Sequence, residues 1–189
     1  QREDNSALQQ IKTRNEKIVG ITIHYQGKIN GVSLIDKVTE ELNDISLELN
    51  WGKELIDDDK LNIKGILIFP PLNCEPLSFL FDKSTGVLKH FILLAHDDMG
   101  DDHYKYNNVK TQFAPIHVHI TIIKLLKYLK KQYINDINVT DEGEYWETED
   151  VELLQSKFDF MKEMIDVVAS AFNKTEKIPG ESPESLTER

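Results

Sequence analysis

Residues that could bind a metal ion occur together in one short polar stretch, residues 96–103. Clustered carboxylates suit hard cations, and mixed imidazole and carboxylate ligands suit transition metals. The order does not match a calcium-binding EF-hand, because Met99 stands where the second ligand belongs and no glutamate closes the loop. We interpret the stretch first as a solvated acidic loop, and second as the chain's best candidate for a metal site. The candidate ligands are His96, Asp97, Asp98, Asp101 and His103.

A second pair of possible metal ligands, His117 and His119, is separated by one residue. On a strand both imidazoles would lie on one face. On a helix they would point about 200° apart and could not share an ion. Pro115 suits the first turn of a helix, and apolar residues recur three and four apart through 115–133. The pattern therefore predicts a helix whose two histidines do not bind one metal ion.

The chain contains no motif with the spacing of a known catalytic site. It has no His-Glu-x-x-His, no Gly-x-Ser-x-Gly and no glycine-rich phosphate-binding loop. Its single cysteine, Cys74, lies in the Pro-rich stretch PPLNCEP and cannot form an intrachain disulfide. We interpret Cys74 as a structural thiol. The sequence thus predicts no catalytic residue and no cofactor.

A change of charge marks the region after the 115–133 helix, because residues 132–156 contain neither Lys nor Arg. Residues 141–147 mix carboxylates with two aromatic side chains. An aromatic residue ringed by acid is typical of a contact with a basic protein. The other interpretation is a tryptophan anchored in the core with solvated acids around it. The candidate partner-binding residues are Asp141, Glu142, Glu144, Tyr145, Trp146 and Glu147.

Apolar residues that alternate along the chain predict strands, and those spaced three and four apart predict helices. Strands are expected at residues 17–27, 45–51, 61–71 and near 136–140, with a hairpin around the turn at 82–86. Helices are expected at 33–44, 115–133 and 149–172, and a long loop at 97–112.

Strands with hairpin-length connections, followed by helices in the C-terminal half, indicate an α+β domain. We predict one domain over residues 17–172, an antiparallel or mixed β-sheet with helices packed on one face. Residues 1–16 are expected to form a polar segment with a marginal helix. Residues 173–189, rich in Pro, Gly, Ser and Glu, are expected to be a disordered acidic tail.

The 149–172 helix carries two neighbouring rows of apolar residues, wider than a single amphipathic stripe. Two surfaces should therefore cover it. We expect both to come from the same chain, with truncation of Phe158 or Ile165 costing about 2–5 kcal/mol. On this basis a monomer is expected rather than a homodimer.

The formal net charge of -11 over 189 residues argues against binding to nucleic acid or to an anionic membrane, both of which require basic residues. No apolar run is long enough to span a bilayer, and a lone cysteine fits a reducing compartment. A cytoplasmic location is expected, although a start at Gln1 rather than Met is also compatible with a removed signal peptide.

Two functional hypotheses follow from these observations. The first is a small acidic protein that acts by binding a basic protein, of which a toxin-neutralising immunity protein or antitoxin is one form. The second is a metal-dependent, hydrolase-like enzyme that uses the His/Asp stretch at 96–103.

Overall fold

The computed structural model describes residues 20–71, 73–95 and 104–175, with side chains up to residue 170. Within these ranges the chain forms a single α+β domain, so the predicted fold class is confirmed. The strands divide between two antiparallel sheets, of three and four strands. The predicted N-terminal segment at 1–16 lies outside the described residues, and so does most of the predicted tail.

The three-stranded sheet has β1 (Thr22–Gln26) at its centre, between β6 (Asn107–Lys110) and β7 (Asn138–Asp141). Ile23 of β1 pairs with Val109 on one side and Asp141 on the other, and all three side chains are buried. The predicted loop at 97–112 is wrong over β6, because a strand with one apolar residue shows no alternation of its own. Pairing with β1 is what makes it a strand.

The four-stranded sheet runs in chain order from β2 (Gly52–Asp58) through β3 (Ile63–Phe69) and β4 (Leu77–Asp82) to β5 (Leu88–Lys89). The predicted strand at 61–71 and the hairpin around 82–86 correspond to β3, β4 and β5. Gly65 of β3 has φ +155°, and a Cβ there would lie 2.0 Å from the carbonyl oxygen of Phe79. Only glycine fits at this position, where β3 pairs closely with β4.

Helix α1 (Ile35–Glu48) follows a short 3-10 turn, Val32–Leu34, and packs Val38 and Leu42 into the core. The predicted strand at 45–51 is wrong, because the helix continues to Glu48. The alternation there did not mark one buried face, since Leu47 is exposed while Ser46 is buried and donates a hydrogen bond to the Leu42 carbonyl. The chain then turns at Asn50, which has a positive φ.

Helix α2 (Ile116–Gln132) confirms the helix predicted at 115–133, with Pro115 at its N-cap. Its buried side chains, among them Val118, Ile122 and Leu126, belong to the same core cluster as Ile23 of β1 and Phe79 of β4. One hydrophobic core therefore connects both sheets to the long helix.

Two helices follow β7. They are α3 (Tyr145–Thr148), a single turn, and α4 (Val151–Thr175), which runs three residues past the end predicted for it.

Over the residues whose side chains are described, α4 packs against the domain as far as Met161. Leu154 and Met161 are buried and Phe158 is partly buried, but every residue from 162 to 170 is exposed. The expectation that the same chain covers both apolar rows is therefore wrong for the second half of the helix. Beyond Met161 the described helix continues for about 20 Å at 1.5 Å per residue.

Candidate protein-binding corner

The segment from Asp141 to Glu152, which holds all six predicted partner-binding residues, lies where β7, α3 and the start of α4 meet. We define the acidic corner from its exposed and partly exposed side chains. The acidic corner is made up of the six acids among them and Trp146, that is Glu142, Glu144, Trp146, Glu147, Glu149, Asp150 and Glu152; Thr148 and Val151 of the same segment are also exposed.

His119 and Asp141 form a buried pair beneath this corner. His119 Nε2 lies 3.2 Å from both carboxylate oxygens of Asp141, and the two side chains are 0% exposed. His117 is exposed on the other side of α2. The helix thus separates the two histidines as predicted, and His119 has a carboxylate partner within the chain.

Asp141 holds the local backbone in place. Its carboxylate also accepts hydrogen bonds from the N–H groups of Gly143 at 2.7 Å and Trp146 at 3.0 Å. Burial raises the pKa of Asp141, but the hydrogen bond and charge of His119 and the two backbone donors outweigh it. The net pKa lies below the ordinary aspartate value, so the carboxylate form is favoured.

Thr111, His119 and Asp141 lie in the order of a hydroxyl–imidazole–carboxylate triad, because Thr111 Oγ1 is 2.8 Å from His119 Nδ1. Such a triad attacks a substrate only if the hydroxyl is accessible. Here Thr111 is 0% exposed and lies 3.2 Å from the carbonyl oxygen of Ile21, to which it can donate. The rings of Phe158 and His119 are nearly perpendicular, with an interplanar angle of 85° and centroids 5.8 Å apart. We interpret the three residues as a buried structural network.

Close packing and two unusual backbone conformations shape the turn. A Cβ on Gly143 would lie 2.9 Å from His119 Nε2 and 2.6 Å from a methyl group of Leu154, so only glycine fits there. Glu144 and Glu149, on either side of α3, have φ of 60° and 53°. Non-glycine residues adopt this region rarely. The direction of the acidic side chains is therefore set by a specific, tightly packed backbone.

The acids of the corner have different environments. Glu142 accepts a hydrogen bond from the N–H of Thr22 at 2.8 Å, and Glu144 forms an ion pair with Lys157 at 2.7 Å. Glu149 forms an ion pair with Lys127, which holds the pKa of Glu149 below its ordinary value. The remaining acids, Glu147, Asp150 and Glu152, are exposed, and the Asp150 carboxylate caps α4 by accepting hydrogen bonds from the N–H groups of Glu152 at 2.9 Å and Leu153 at 3.0 Å.

Trp146 is partly buried against the core. The ammonium groups of Lys127 and Lys130 lie 5.6 and 5.4 Å from its ring centre, within cation–π range. The ring is therefore anchored in the domain and has cations of its own chain beside it. This environment matches the interpretation of Trp146 as an anchor in the core.

Two of the six predicted surface residues do not reach the surface. Counted over the whole residue, backbone included, Asp141 is 5% exposed and Tyr145 is 7% exposed. The sequence-based prediction placed Asp141 on the partner-binding surface with its acidic neighbours, whereas its carboxylate is paired with His119. A signal was present, because Asp141 is two residues after Val139 and shares its buried face in a strand.

The candidate metal ligands His96, Asp97, Asp98, Asp101 and His103 lie outside the described residues. Among the residues that are described, no group of three or more His, Cys, Asp or Glu side chains could hold a metal ion.

Cys74 is partly buried and can donate a weak hydrogen bond to the carbonyl of Lys110. Burial, with the charge of Glu75 adding to it, raises the pKa of the thiol to about 12. A thiol with this pKa carries almost no thiolate at neutral pH, which makes it a poor nucleophile.

Comparisons with protein-family models, curated proteins and solved structures find no match to this chain. None of the helices in the described part of the chain is both long and apolar enough to cross a membrane. The geometry of the corner is therefore the basis for a functional proposal.

Proposed function

We propose that this protein acts by binding a basic protein through the acidic corner. The observation that carries the proposal is the set of exposed acids, Glu147, Asp150 and Glu152, in the same short segment as Trp146 and next to a closely packed turn at Gly143. A rigid surface loses little conformational entropy on binding, which favours affinity and specificity.

The charge of the whole molecule supports the same partner. A net charge of -11 attracts a basic protein over a distance and speeds its encounter with the corner. Glu144 and Glu149 are already paired with Lys157 and Lys127. A partner that supplies Arg or Lys would compete with these lysines, so the other exposed acids, Glu147, Asp150 and Glu152, should carry most of the attraction.

Neutralisation of a basic toxin, as by an immunity protein or antitoxin, is one form of this activity. It requires tight, specific binding to a single protein rather than general attraction to basic molecules. A test must therefore separate recognition by the corner from the effect of total charge.

The test is capture from a lysate of the native organism on immobilised protein. Glu147→Lys/Glu152→Lys reverses two acids of the corner. Glu48→Lys/Glu54→Lys reverses two exposed acids outside it and changes the net charge equally. We expect the wild type and the second variant to retain one basic protein that elutes with salt, and the first variant to lose it. Equal capture by both variants would contradict the proposal.

A further inference from the structure

One face of the three-stranded sheet is uncovered by the described part of the chain. Ile23 and Val139 are buried, whereas the residues next to them, His24, Asn138 and Thr140, are exposed, because successive side chains of a strand point to opposite faces. A cleft of about 300 Å³ lies on the exposed face. We call it the neutral cleft. It is lined by His24, Gln26, Tyr106, Asn138 and Thr140, together with the buried residues Tyr25 and Asn107.

Four of the lining side chains stand in a regular arrangement on two adjacent strands. His24 pairs with Thr140, and Gln26 pairs with Asn138, in the antiparallel register of β1 and β7. Side chains directly opposite each other lie about 5 Å apart, and those two residues apart in one strand lie about 7 Å apart. Among the described residues, the side chains of Gln26, Asn138 and Thr140 have no hydrogen-bond partner. Hydrogen-bonding groups are therefore presented to a ligand on a regular sheet.

An aromatic ring lies beside these polar groups. Tyr106 directly precedes β6, is 65% exposed and lines the neutral cleft. The negative face of an aromatic ring attracts polarised C–H groups. The cleft thus combines one aromatic surface with several groups that form hydrogen bonds.

The charge of the lining residues restricts the ligand. None of them has a formal charge, with histidine counted as neutral. A phosphate or carboxylate would find no Lys or Arg to bind it, and the carboxylate of Glu142, 3.8 Å from the His24 imidazole, would repel it. An acyl chain would need apolar walls, and the exposed lining side chains other than Tyr106 are polar. These exclusions leave a neutral polar ligand.

We propose that the neutral cleft binds a neutral sugar. Amide, hydroxyl and imidazole side chains both donate and accept hydrogen bonds, as the hydroxyl groups of a sugar do. Tyr106 supplies the surface on which the C–H groups of the sugar ring pack. The volume lies at the small end of the range for ligand sites, about 300–1,000 Å³, and suits one or two sugar rings. This site is separate from the acidic corner and does not rest on the binding of a basic protein.

The test follows the backbone amide signals of the full chain by NMR while sugars are added. The neutral probes are glucose, galactose, mannose and N-acetylglucosamine, each to about 50 mM, and glucuronate and galacturonate are the charged counterparts of the first two. We expect at least one neutral sugar to bind with a dissociation constant of about 10 mM or tighter and to shift the signals of Gln26, Asn138 and Thr140. Each uronate should bind more weakly than its neutral counterpart.

The source of the sugar is distinguished by a tetrasaccharide of the sugar that binds. Tighter binding of the tetrasaccharide identifies a polymeric glycan as the ligand, and equal binding identifies a free sugar. Either result agrees with the proposed chemistry of the cleft.

Variants assign the binding to the cleft. Tyr106→Ala should weaken it about fivefold or more, and Tyr106→Phe, which keeps the ring, should stay within about threefold of the wild type. Phe113→Ala removes another exposed aromatic ring, 54% exposed and outside the cleft, and should leave the affinity unchanged. Circular dichroism checks that the variants are folded, as the exposure of both positions predicts.

Three results would overturn the proposal. They are the absence of any shift with all four neutral sugars, uronates that bind as well as their neutral counterparts, and equal effects of Tyr106→Ala and Phe113→Ala.

Discussion

Asp141 connects three parts of the structure through one carboxylate. It pairs with His119 of α2, accepts two backbone N–H groups of the following turn, and lies in β7 beside β1. The free energy of such a buried pair depends on both members being present. Removal of one member leaves the other buried without its partner, and the free energy of unfolding then falls strongly.

The first prediction compares the two histidines of α2. His119→Ala should lower the free energy of unfolding by about 3–5 kcal/mol, because Asp141 would remain buried without its imidazole partner. His117→Ala, two residues away on the exposed side, should change it by about 0.5 kcal/mol or less. Urea unfolding of both variants measures the difference. A similar loss for both would contradict the assigned burial.

The second prediction concerns pH. Because the folded-state pKa of Asp141 lies below its unfolded value, its ionisation contributes stability that is present above the unfolded pKa. The contribution is lost as pH falls through the folded pKa. The wild type should therefore exceed Asp141→Asn in unfolding free energy near neutral pH, and the gap should narrow below about pH 4. A gap that stays constant down to acid denaturation would show that Asp141 does not act through its charge.

For the helices and strands, the sequence predicts those whose apolar residues follow a clear local period. β1, β3 and α2 have clear periods and were found where expected. The edge strand β2 was missed, because its charged residues and exposed Leu55 hide any alternation. Its pairing with β3 is a tertiary contact. Likewise, no local pattern shows that residues 162–170 of α4 are exposed.

The third prediction separates the two halves of α4. Leu154 is 0% exposed and Ile165 is 38% exposed. Leu154→Ala should cost about 2–5 kcal/mol through lost burial and a cavity, whereas Ile165→Ala should cost about 1 kcal/mol or less. Denaturant unfolding of the two variants measures both losses. An equal loss would mean that the second half of the helix is covered within the chain.

At the scale of the whole molecule, the acidic corner and the neutral cleft of the three-stranded sheet are separate surfaces with different chemistry. Composition predicts the sign of the net charge. Composition cannot predict which acids already have a partner within the chain. Asp141 forms an ion pair with buried His119, and Glu144 and Glu149 form ion pairs with Lys157 and Lys127. In the described fold Glu147, Asp150 and Glu152 are exposed, and they are the acids on which the proposed binding surface depends.

Titration of the captured basic protein against the purified chain measures whether it binds through the acidic corner. The wild type, Glu147→Lys/Glu152→Lys and Glu48→Lys/Glu54→Lys are compared by calorimetry at low and high salt. We expect the corner variant to bind about 10-fold more weakly or worse and the control to stay within about threefold of the wild type, with binding that weakens as salt is added. Affinity that is insensitive to salt and equal for the two variants would contradict the proposal.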